Sequence, residues 1–213
     1  RKGDNVAIIG ETGSGKTSLA KLFMEFYSPD KGHIYVDGAE LQNFEVQEIR
    51  KAVVYVSQED FLFTASVREN LKMGNEEISD EEMIEISRKM GVHQFVSKME
   101  REYDSVLEER GKNLSKGQRQ KLSLTRAILR HPKILILDEA TSNMDSISER
   151  EILNYIKGIR DITLILISHR INVIADSDCI YVLQKGNIVA RGTDEQLKEQ
   201  CELYRQLYGE EEK

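Results

Sequence analysis

One segment of eight residues restricts the fold of this 213-residue chain more than any other. It runs from Gly10 to Thr17 with the pattern Gly-x4-Gly-Lys-Thr, and it directly follows Val6 to Ile9, an apolar run that predicts a short buried strand. From Thr17 to Tyr27, apolar residues recur at the spacing i, i+3, i+4 and i+7, which predicts one apolar helical face. A glycine-rich turn between a buried strand and an amphipathic helix is typical of a loop that binds phosphate groups.

The residue types in this loop suit a bound nucleoside triphosphate. Glycines let backbone N–H groups approach phosphate oxygens closely, and the start of the following helix adds a partial positive charge. Lys16 can reach the β- and γ-phosphates, and the Thr17 hydroxyl can bind Mg²⁺. A glycine-rich turn without a ligand is the alternative, and the flanking strand and helix disfavour it. The predicted nucleotide-binding residues are Gly10, Glu11, Thr12, Gly13, Ser14, Gly15, Lys16, Thr17 and Ser18.

Two acids follow a second apolar run. Ile134 to Leu137 predicts a buried strand, and Asp138 and Glu139 come directly after it. Because ligands of open parallel sheets bind beyond the carboxyl ends of the strands, we expect Asp138 to face the same edge as Lys16 and to coordinate Mg²⁺. Glu139 would be the general base for the attacking water. A simple polar turn is the alternative for such a pair in isolation, and the glycine loop upstream favours the functional interpretation.

Apolar strands and helices alternate along the remaining chain. Short strands are predicted at His33 to Val36, Val53 to Val56 and Ile162 to Ile167. The segments Ile180 to Leu183 and Ile188 to Ala190 flank a turn and have the pattern of a hairpin. This alternation predicts an α/β fold, a P-loop NTPase core whose mostly parallel sheet is covered by helices on both faces.

Residues 59–132 differ from the rest because their pattern is helical and strongly charged. We therefore predict a first part of the NTPase core at 1–58, an inserted α-helical subdomain at 59–132 and a second part of the core at 133–213. Since the chain begins one short strand before the glycine loop, we expect N-terminal strands of the core to be missing from it. Capping patterns predict helix starts at Ser79, Ser115, Ser146 and Thr193.

Composition disfavours several other classes of protein. The net charge of -7 and the pI near 5.3 are unlike those of a general nucleic-acid binder, which carries a basic stripe, so we expect no nucleic-acid partner. No apolar run approaches the roughly 18 residues of a membrane-spanning helix, and we expect the chain itself to be soluble. Two cysteines, Cys179 and Cys201, are too few for a disulfide framework, and we expect reduced thiols.

Four further motifs stand in a fixed order around the first two. They are Gln58, Leu114-Ser115-Lys116-Gly117-Gln118, Ser142-Asn143-Met144-Asp145 and Ser168-His169-Arg170. Together the six motifs resemble the nucleotide-binding domain of an ATP-binding-cassette (ABC) transporter. In chain order, the four resemble the glutamine loop, the signature LSGGQ, the aspartate loop and the histidine switch of that family. The six motifs cover residues 10 to 170, which is far more specific than a glycine loop alone.

The resemblance implies that the ligands are ATP and Mg²⁺, and that Gln58 and His169 act with Glu139 in catalysis. Gln58 would contact both the metal and the attacking water, and His169 would bond to the γ-phosphate and orient Glu139. In isolation, a glutamine at a strand end is usually solvated and a lone histidine is usually structural. The metal ligands implied in this way are Thr17, Gln58 and Asp138.

The resemblance also implies a second nucleotide-binding domain, in a homodimer or a heterodimer. Two domains would pair head to tail, with the signature residues Ser115, Gly117 and Gln118 of one domain facing the ATP bound to the other. Asp145 would lie at the dimer seam beside the nucleotide. The alternatives in isolation are a capped surface helix for the signature and an ordinary turn acid for Asp145.

Parts of the chain resemble exporters in particular, among them Ser66 to Leu71 and Ala140 to Ser142. The resemblance implies a transmembrane domain that docks on Glu59 to Phe63 and on Glu109 to Gly111, at the cytoplasmic face of a membrane. The aromatic pair Phe61 and Phe63 in a polar loop favours docking over the alternative of a solvated helical lobe.

We therefore predict an ATPase module that powers substrate export. A soluble cassette ATPase in DNA maintenance or ribosome function is one alternative, and a non-hydrolytic regulatory module is another, which the intact residues Lys16, Asp138 and Glu139 disfavour. Lys116 replaces a glycine of the family signature, and we expect mild impairment at most. The aromatic residue that stacks on adenine in this family lies upstream of the loop, outside this chain, so we expect weakened nucleotide binding.

Overall fold

The computed structural model describes residues 2–59 and 61–211, so the predicted docking segment Glu59 to Phe63 is described except for Asp60, which lies outside the described residues. The chain divides into two compact units. The first comprises Arg1–Tyr55, Lys133–Glu139 and Asp161–Lys213, and the second comprises Val56–Pro132 and Ala140–Arg160.

The strands form one large sheet and one small ribbon. In chain order, the strands are β1 (Asn5–Gly10), β2 (Tyr35–Val36), β3 (Ala39–Glu40), β4 (Val53–Val56), β5 (Ile134–Asp138), β6 (Thr163–Ile167), β7 (Cys179–Gln184) and β8 (Asn187–Gly192). The large sheet has the order β4-β5-β6-β1-β7-β8, and β2 pairs only with β3 among the described strands. The pairs β5–β6, β6–β1 and β1–β7 are parallel, whereas β7 and β8 form the predicted antiparallel hairpin.

The register of the parallel strands brings their carboxyl ends to one edge of the sheet. Ile167, the last residue of β6, lies opposite both Asp138 at the end of β5 and Ile8 in β1. The loops that follow these three strands therefore begin at the same edge, which is where ligands of such sheets bind. The central strands are mostly buried, as expected when both faces of a sheet are covered.

Helices complete both units. They are α1 (Lys16–Phe23), α2 (Val46–Ala52), α3 (Val67–Lys72), α4 (Asp80–Lys89), α5 (His93–Val96), α6 (Lys116–Leu129), α7 (Ser146–Lys157), α8 (Ile171–Ile174), α9 (Asp194–Gln200) and α10 (Glu202–Glu211). The large sheet is mostly parallel, with β8 antiparallel to β7, which confirms the predicted α/β fold. None of the helices within residues 2–59 and 61–211 has the length and apolarity that crossing a bilayer requires.

Helices α1 and α2 contribute to the core of the first unit. Ala20 of α1 and Ile49 of α2 belong to one buried cluster with Ile8 of β1 and Ile136 of β5. Burying a large aliphatic side chain such as that of Ile136 contributes roughly 1.5–3 kcal/mol relative to leaving it exposed. This packing holds α1 against β1 and β5.

Helix α1 is shorter than predicted. It ends at Phe23 rather than Tyr27, because Glu25 has a φ of 51°, in the left-handed region that does not continue a helix. Phe26 therefore lies outside the helix and is 51% exposed instead of sharing its apolar face. The strand predicted at His33 to Val36 also shortens, to the two residues of β2.

The start of α7 corrects one predicted cap. Asp145, not Ser146, is the N-cap, and its Oδ1 accepts a hydrogen bond from the N–H of Ser148 over 2.9 Å. Aspartate and serine are both favourable caps, so the sequence pattern could not place the start to within one residue. The other three predicted caps are confirmed. Each side chain accepts a hydrogen bond from the backbone N–H of the residue three positions later, at Ser79, Ser115 and Thr193.

The second unit extends further than the predicted helical subdomain. Its break at Pro132 coincides with the predicted boundary, but Ala140–Arg160 groups with it and not with a continuous second core part at 133–213. Two contacts tie α7 to this unit. The Nζ of Lys121 donates to the Oγ of Ser148 over 2.9 Å, and the Nζ of Lys89 lies 5.6 Å from the ring centroid of Tyr155.

Candidate nucleotide-binding site

The glycine loop joins β1 to α1, as the sequence predicts. Gly13 and Gly15 have φ values of 80° and 103°, which side chains other than glycine rarely adopt. Gly15 is also the N-cap of α1 and has no side chain with which to cap it, so the first N–H groups of the helix are available to an anionic ligand. The buried Oγ of Ser14 has no hydrogen-bond partner among the described residues, which leaves a further polar atom for a ligand.

A distant hairpin supports the loop. A Cβ atom on Gly10 would lie 2.2 Å from the carbonyl oxygen of Leu183 in β7, so only glycine fits at the end of β1. The N–H of Gly186, in the turn between β7 and β8, donates to the carbonyl of Ser14 over 2.9 Å. Sequence reasoning missed this support, because the loop and the turn are far apart along the chain and the turn has an ordinary hairpin pattern.

Lys16 is folded over its own loop. Its side chain is buried, and Nζ donates to the carbonyl oxygens of Gly10 and Glu11 over 2.7 and 2.9 Å. Burial lowers the pKa of Lys16, and the charges of Glu139 and Asp138 oppose that shift. The ammonium group therefore contacts the loop and interacts with the charges of both acids, and phosphate oxygens can replace the carbonyls as its partners.

Asp138 ends β5 and is buried. The phenol of Tyr55 in β4 donates to Oδ2 of Asp138 over 2.9 Å. Sequence reasoning did not identify Tyr55 as part of this site. The only available signal was its position in the predicted strand Val53 to Val56, which ends two residues before Gln58.

Glu139 and His169 lie together beyond the sheet edge. The Nδ1 atom of His169 is 3.2 Å from Oε1 of Glu139, and the side chains are 58% and 27% exposed, respectively. Glu139 adopts a φ of 51°, and its N–H donates to the carbonyl of Ile167 over 2.9 Å. Glu139 thus adopts a left-handed conformation directly after β5, and its side chain is partly exposed, as is that of His169.

The signature lies in the second unit, at the start of α6. The side chain of Ser115 accepts from the N–H of Gln118 over 3.2 Å, and the side chain of Gln118 accepts from the N–H of Ser115 over 2.9 Å. A Cβ atom on Gly117 would lie 3.1 Å from the carbonyl oxygen of Asn143, so the signature packs closely on the aspartate loop.

A cavity of about 530 Å³ opens beside the signature. Lys116 and Lys121 contribute positive charge to it, and Asp145 contributes a carboxylate. The signature and the aspartate loop therefore line a single cavity within the second unit. Gln58, the remaining predicted catalytic residue, also belongs to this unit, where it is exposed two residues beyond β4.

The oxygen donors near the glycine loop fit Mg²⁺. Thr17 offers a hydroxyl on the first turn of α1, and Asp138 offers a carboxylate, which are ligands of the hard type that Mg²⁺ prefers. Within the part of the chain that the structure describes, no group of three His, Cys, Asp or Glu side chains could hold a metal alone. A metal at this site would complete its coordination with phosphate oxygens and water, as Mg²⁺ usually does.

The two predicted docking segments are neighbours in the second unit. The rings of Phe61 and Phe63 meet edge to face with centroids 4.8 Å apart, and they are 55% and 39% exposed. In the segment Glu109–Gly111, a Cβ atom on Gly111 would lie 2.9 Å from Cδ1 of Leu62. The two segments therefore touch through the buried residues Leu62 and Gly111, and the rings of Phe61 and Phe63 are exposed.

Comparison with known proteins identifies the family of this chain. Residues 1–142 match the family model described as ABC transporter. The chain belongs to the ABC transporter family. Its fold is that of solved members, since it matches the structure of a bacterial Atm1-family ABC exporter with ATP bound, at a TM-score of 0.94 and 32% identity. That match covers 99% of this chain and 37% of the exporter chain.

Relatives of this ABC transporter domain are mainly longer proteins. The heterocyst differentiation ATP-binding protein HepA of Nostoc sp. is 42% identical over 200 residues, which cover 93% of this chain and 33% of HepA. The lactococcin-G-processing and transport ATP-binding protein LagD of Lactococcus lactis is 40% identical over 203 residues, or 95% of this chain and 29% of LagD. The chain thus spans about a third of the length of these relatives.

Proposed function

We propose that this chain is the ATP-binding and ATP-hydrolysing module of an exporter, and that it works at the cytoplasmic face of a membrane. The observation that carries the proposal is the Glu139–His169 pair at the sheet edge, next to Asp138 and the buried Lys16. A module that only bound ATP would not require a carboxylate held by an imidazole beyond the glycine loop. The exporter relatives favour this function over a soluble cassette in DNA or ribosome work.

The glycine loop would bind the triphosphate. The N–H groups at the start of α1 and the ammonium of Lys16 would neutralise the negative charge of the phosphates. Thr17 and Asp138, together with Gln58, would hold Mg²⁺, which when bound balances the charge that develops on the phosphate oxygens. Each of these groups stabilises the transition state without forming a covalent bond.

Glu139 would accept a proton from the attacking water. Its Oε1 faces the imidazole of His169, which leaves Oε2 for the water. The contact with His169 holds the carboxylate in one orientation, and general-base catalysis of this kind contributes typically 10²–10⁴-fold to a rate. His169 is also exposed enough to bond to the γ-phosphate.

The cavity beside the signature would take part in a composite site. In a head-to-tail dimer, Ser115, Gly117 and Gln118 of one chain would face the γ-phosphate on the other, with Asp145 at the seam. The N-terminus of the 14-residue helix α6 supplies N–H donors and a dipole for that charge. The lining of this cavity by both signature and aspartate loop supports the arrangement.

The surface formed by Glu59 to Phe63 and Glu109 to Gly111 would dock on a transmembrane domain. The exposed ring of Phe61 offers the apolar area that such a contact buries, and the guanidinium of Arg126 fixes the loop by donating to the carbonyl of Phe61 over 2.8 Å.

A phosphate-release assay tests the proposed function. The chain, joined to or mixed with a transmembrane-domain partner, should release phosphate from ATP only when Mg²⁺ is present. Nucleic acid and ribosomes should leave the rate unchanged. Hydrolysis that required DNA or ribosomes would contradict the exporter module, and ATP binding without any hydrolysis in the presence of the partner would indicate a regulatory module instead.

A further inference from the structure

The phenol of Tyr55 makes a polar contact to which the proposed reaction assigns no role. Tyr55 is the third residue of β4, the strand next to β5 in the sheet. Its hydroxyl donates to Oδ2 of Asp138, the acid assigned to the metal, over 2.9 Å. No other hydrogen bond between side chains joins these two strands in the described part of the chain.

Packing holds the Tyr55 ring in place. Side chains alternate along a strand, so Tyr55 shares a face with Val53, and Asp138 shares a face with Ile136. Val53 and Ile136 both belong to the buried cluster that Ala20 of α1 joins, and the ring of Tyr55 packs against that cluster. The ring is therefore fixed by apolar neighbours, and its hydroxyl reaches the polar edge of the sheet.

We propose that Tyr55 is a positioning residue for Mg²⁺. By donating to Oδ2, the phenol holds the Asp138 carboxylate in one rotamer and leaves Oδ1 directed to the ion or to its bound water. This inference rests on the proposed function of Asp138 as a metal ligand. Groups that hydrogen-bond to a ligating carboxylate orient it, and their removal typically weakens metal binding about 10–100-fold.

The protonation of the phenol agrees with this role. Burial, together with the hydrogen bond to Asp138, raises the pKa of Tyr55, so the hydroxyl remains a donor across the neutral range. A purely structural hydrogen bond would show the same geometry. The two roles differ in one observable, because a structural bond affects thermal stability, whereas a positioning bond also affects metal affinity.

The test compares Tyr55→Phe with the unaltered 213-residue chain. Fluorescent mant-ATP is bound to each protein without metal, and Mg²⁺ is then titrated while the fluorescence of the bound nucleotide is followed. We expect the Mg²⁺ concentration for half-maximal change to rise about tenfold or more, with the metal-free affinity for mant-ATP unchanged. Tyr181→Phe is the matched control, because Tyr181 is also a partly buried tyrosine that packs against the same cluster, and it should leave the Mg²⁺ midpoint unchanged.

A double-mutant cycle separates the phenol from general loosening of the site. In an Asp138→Asn background, Tyr55→Phe should have no further effect on the Mg²⁺ midpoint, since the carboxylate that the phenol orients is gone. A second tenfold shift in that background would overturn the proposal. A shift of less than twofold from Tyr55→Phe alone would also overturn it.

One measurement requires no substitution. With the tyrosine rings labelled with carbon-13, the Cζ signal of Tyr55 in the unaltered chain should move at the same Mg²⁺ midpoint as the mant-ATP fluorescence, while that of Tyr181 stays in place. A Tyr55 signal that ignored Mg²⁺ would overturn the inference and leave the proposed function standing. An unaltered chain that bound no mant-ATP at all would instead contradict the proposed function.

Discussion

Nδ1 of His169 lies 3.2 Å from Oε1 of Glu139, although 30 positions separate the two residues along the chain. The sheet produces this proximity, because β5 and β6 are parallel neighbours whose last residues, Asp138 and Ile167, are in register. Each side chain follows its strand by one or two residues. Strand register, and not a flexible loop, thus brings together the proposed general base and the group proposed to orient it.

Replacing His169 with alanine tests the orienting role. We expect the turnover of ATP to fall about 10²–10³-fold, since Glu139 would lose the contact that fixes its carboxylate, while mant-ATP affinity changes little. Steady-state phosphate release and equilibrium fluorescence measure the two quantities. The control is His131→Ala, which removes another exposed histidine paired with a glutamate, Glu82. Turnover of His169→Ala within threefold of the unaltered chain would contradict the assignment.

A methyl group on Gly10 tests the packing of the loop against the β7–β8 hairpin. The Cβ of alanine would lie 2.2 Å from the carbonyl oxygen of Leu183, a backbone atom that cannot move easily. We expect the free energy of unfolding to fall by about 1–3 kcal/mol, and mant-ATP binding to be lost with it.

The matched control for that substitution is Gly209→Ala in α10. A Cβ there would meet no described atom within 4 Å, so the helix should keep or gain up to about 1 kcal/mol of stability. Chemical denaturation measures both variants. Equal stabilities of Gly10→Ala and the unaltered chain would show that the loop is not held by β7.

The sequence predicts most of the site because its motifs depend on local geometry. Gly15 and Ser115 have their structural roles within a few residues of themselves, as a helix start and a helix cap. The contact of Tyr55 with Asp138 could not be predicted, because a tyrosine in an apolar strand is most simply a core residue. The support of Ser14 by Gly186 joins segments 172 positions apart and leaves no local pattern.

The N-cap of α7 and the grouping of this helix with the second unit have a common physical origin. Asp145 and Ser146 both suit an N-cap, and only the packing of α7 decides between them. That packing, through Lys121 and Tyr155, also places α7 with the helical unit. Such tertiary contacts override local propensity and do not show in the sequence.

Two substitutions at Asp145 test the observed cap. Asp145→Ala should lower the melting temperature, whereas Asp145→Asn should retain it, because asparagine caps a helix equally well. The hydrogen bonds from Ser148 lower the pKa of Asp145, so its contribution to stability is present above the ordinary carboxyl pKa and is lost as pH falls through the lowered one. Thermal unfolding between neutral and strongly acidic pH measures this. An identical melting temperature for the alanine and asparagine variants would rule out the cap.

Lys116, the lysine within the signature, can be tested by substitution. Lys116→Gly restores the family residue, and we expect turnover to change less than tenfold, because Ser115, Gly117 and Gln118 keep their geometry. Lys116→Gln separates the charge from the length of the side chain. Phosphate release at concentrations that favour the dimer measures both variants. A rise of tenfold or more in Lys116→Gly would refute mild impairment.

Glu139→Gln tests the central claim most directly. Glutamine keeps the shape of the side chain and its contact with His169 but cannot accept a proton from water. The variant should bind mant-ATP as the unaltered chain does, lose multiple-turnover hydrolysis by at least about 10²-fold, and accumulate as an ATP-bound dimer in size-exclusion chromatography with light scattering. Sustained multiple-turnover hydrolysis by Glu139→Gln would contradict the assignment of Glu139 as the base.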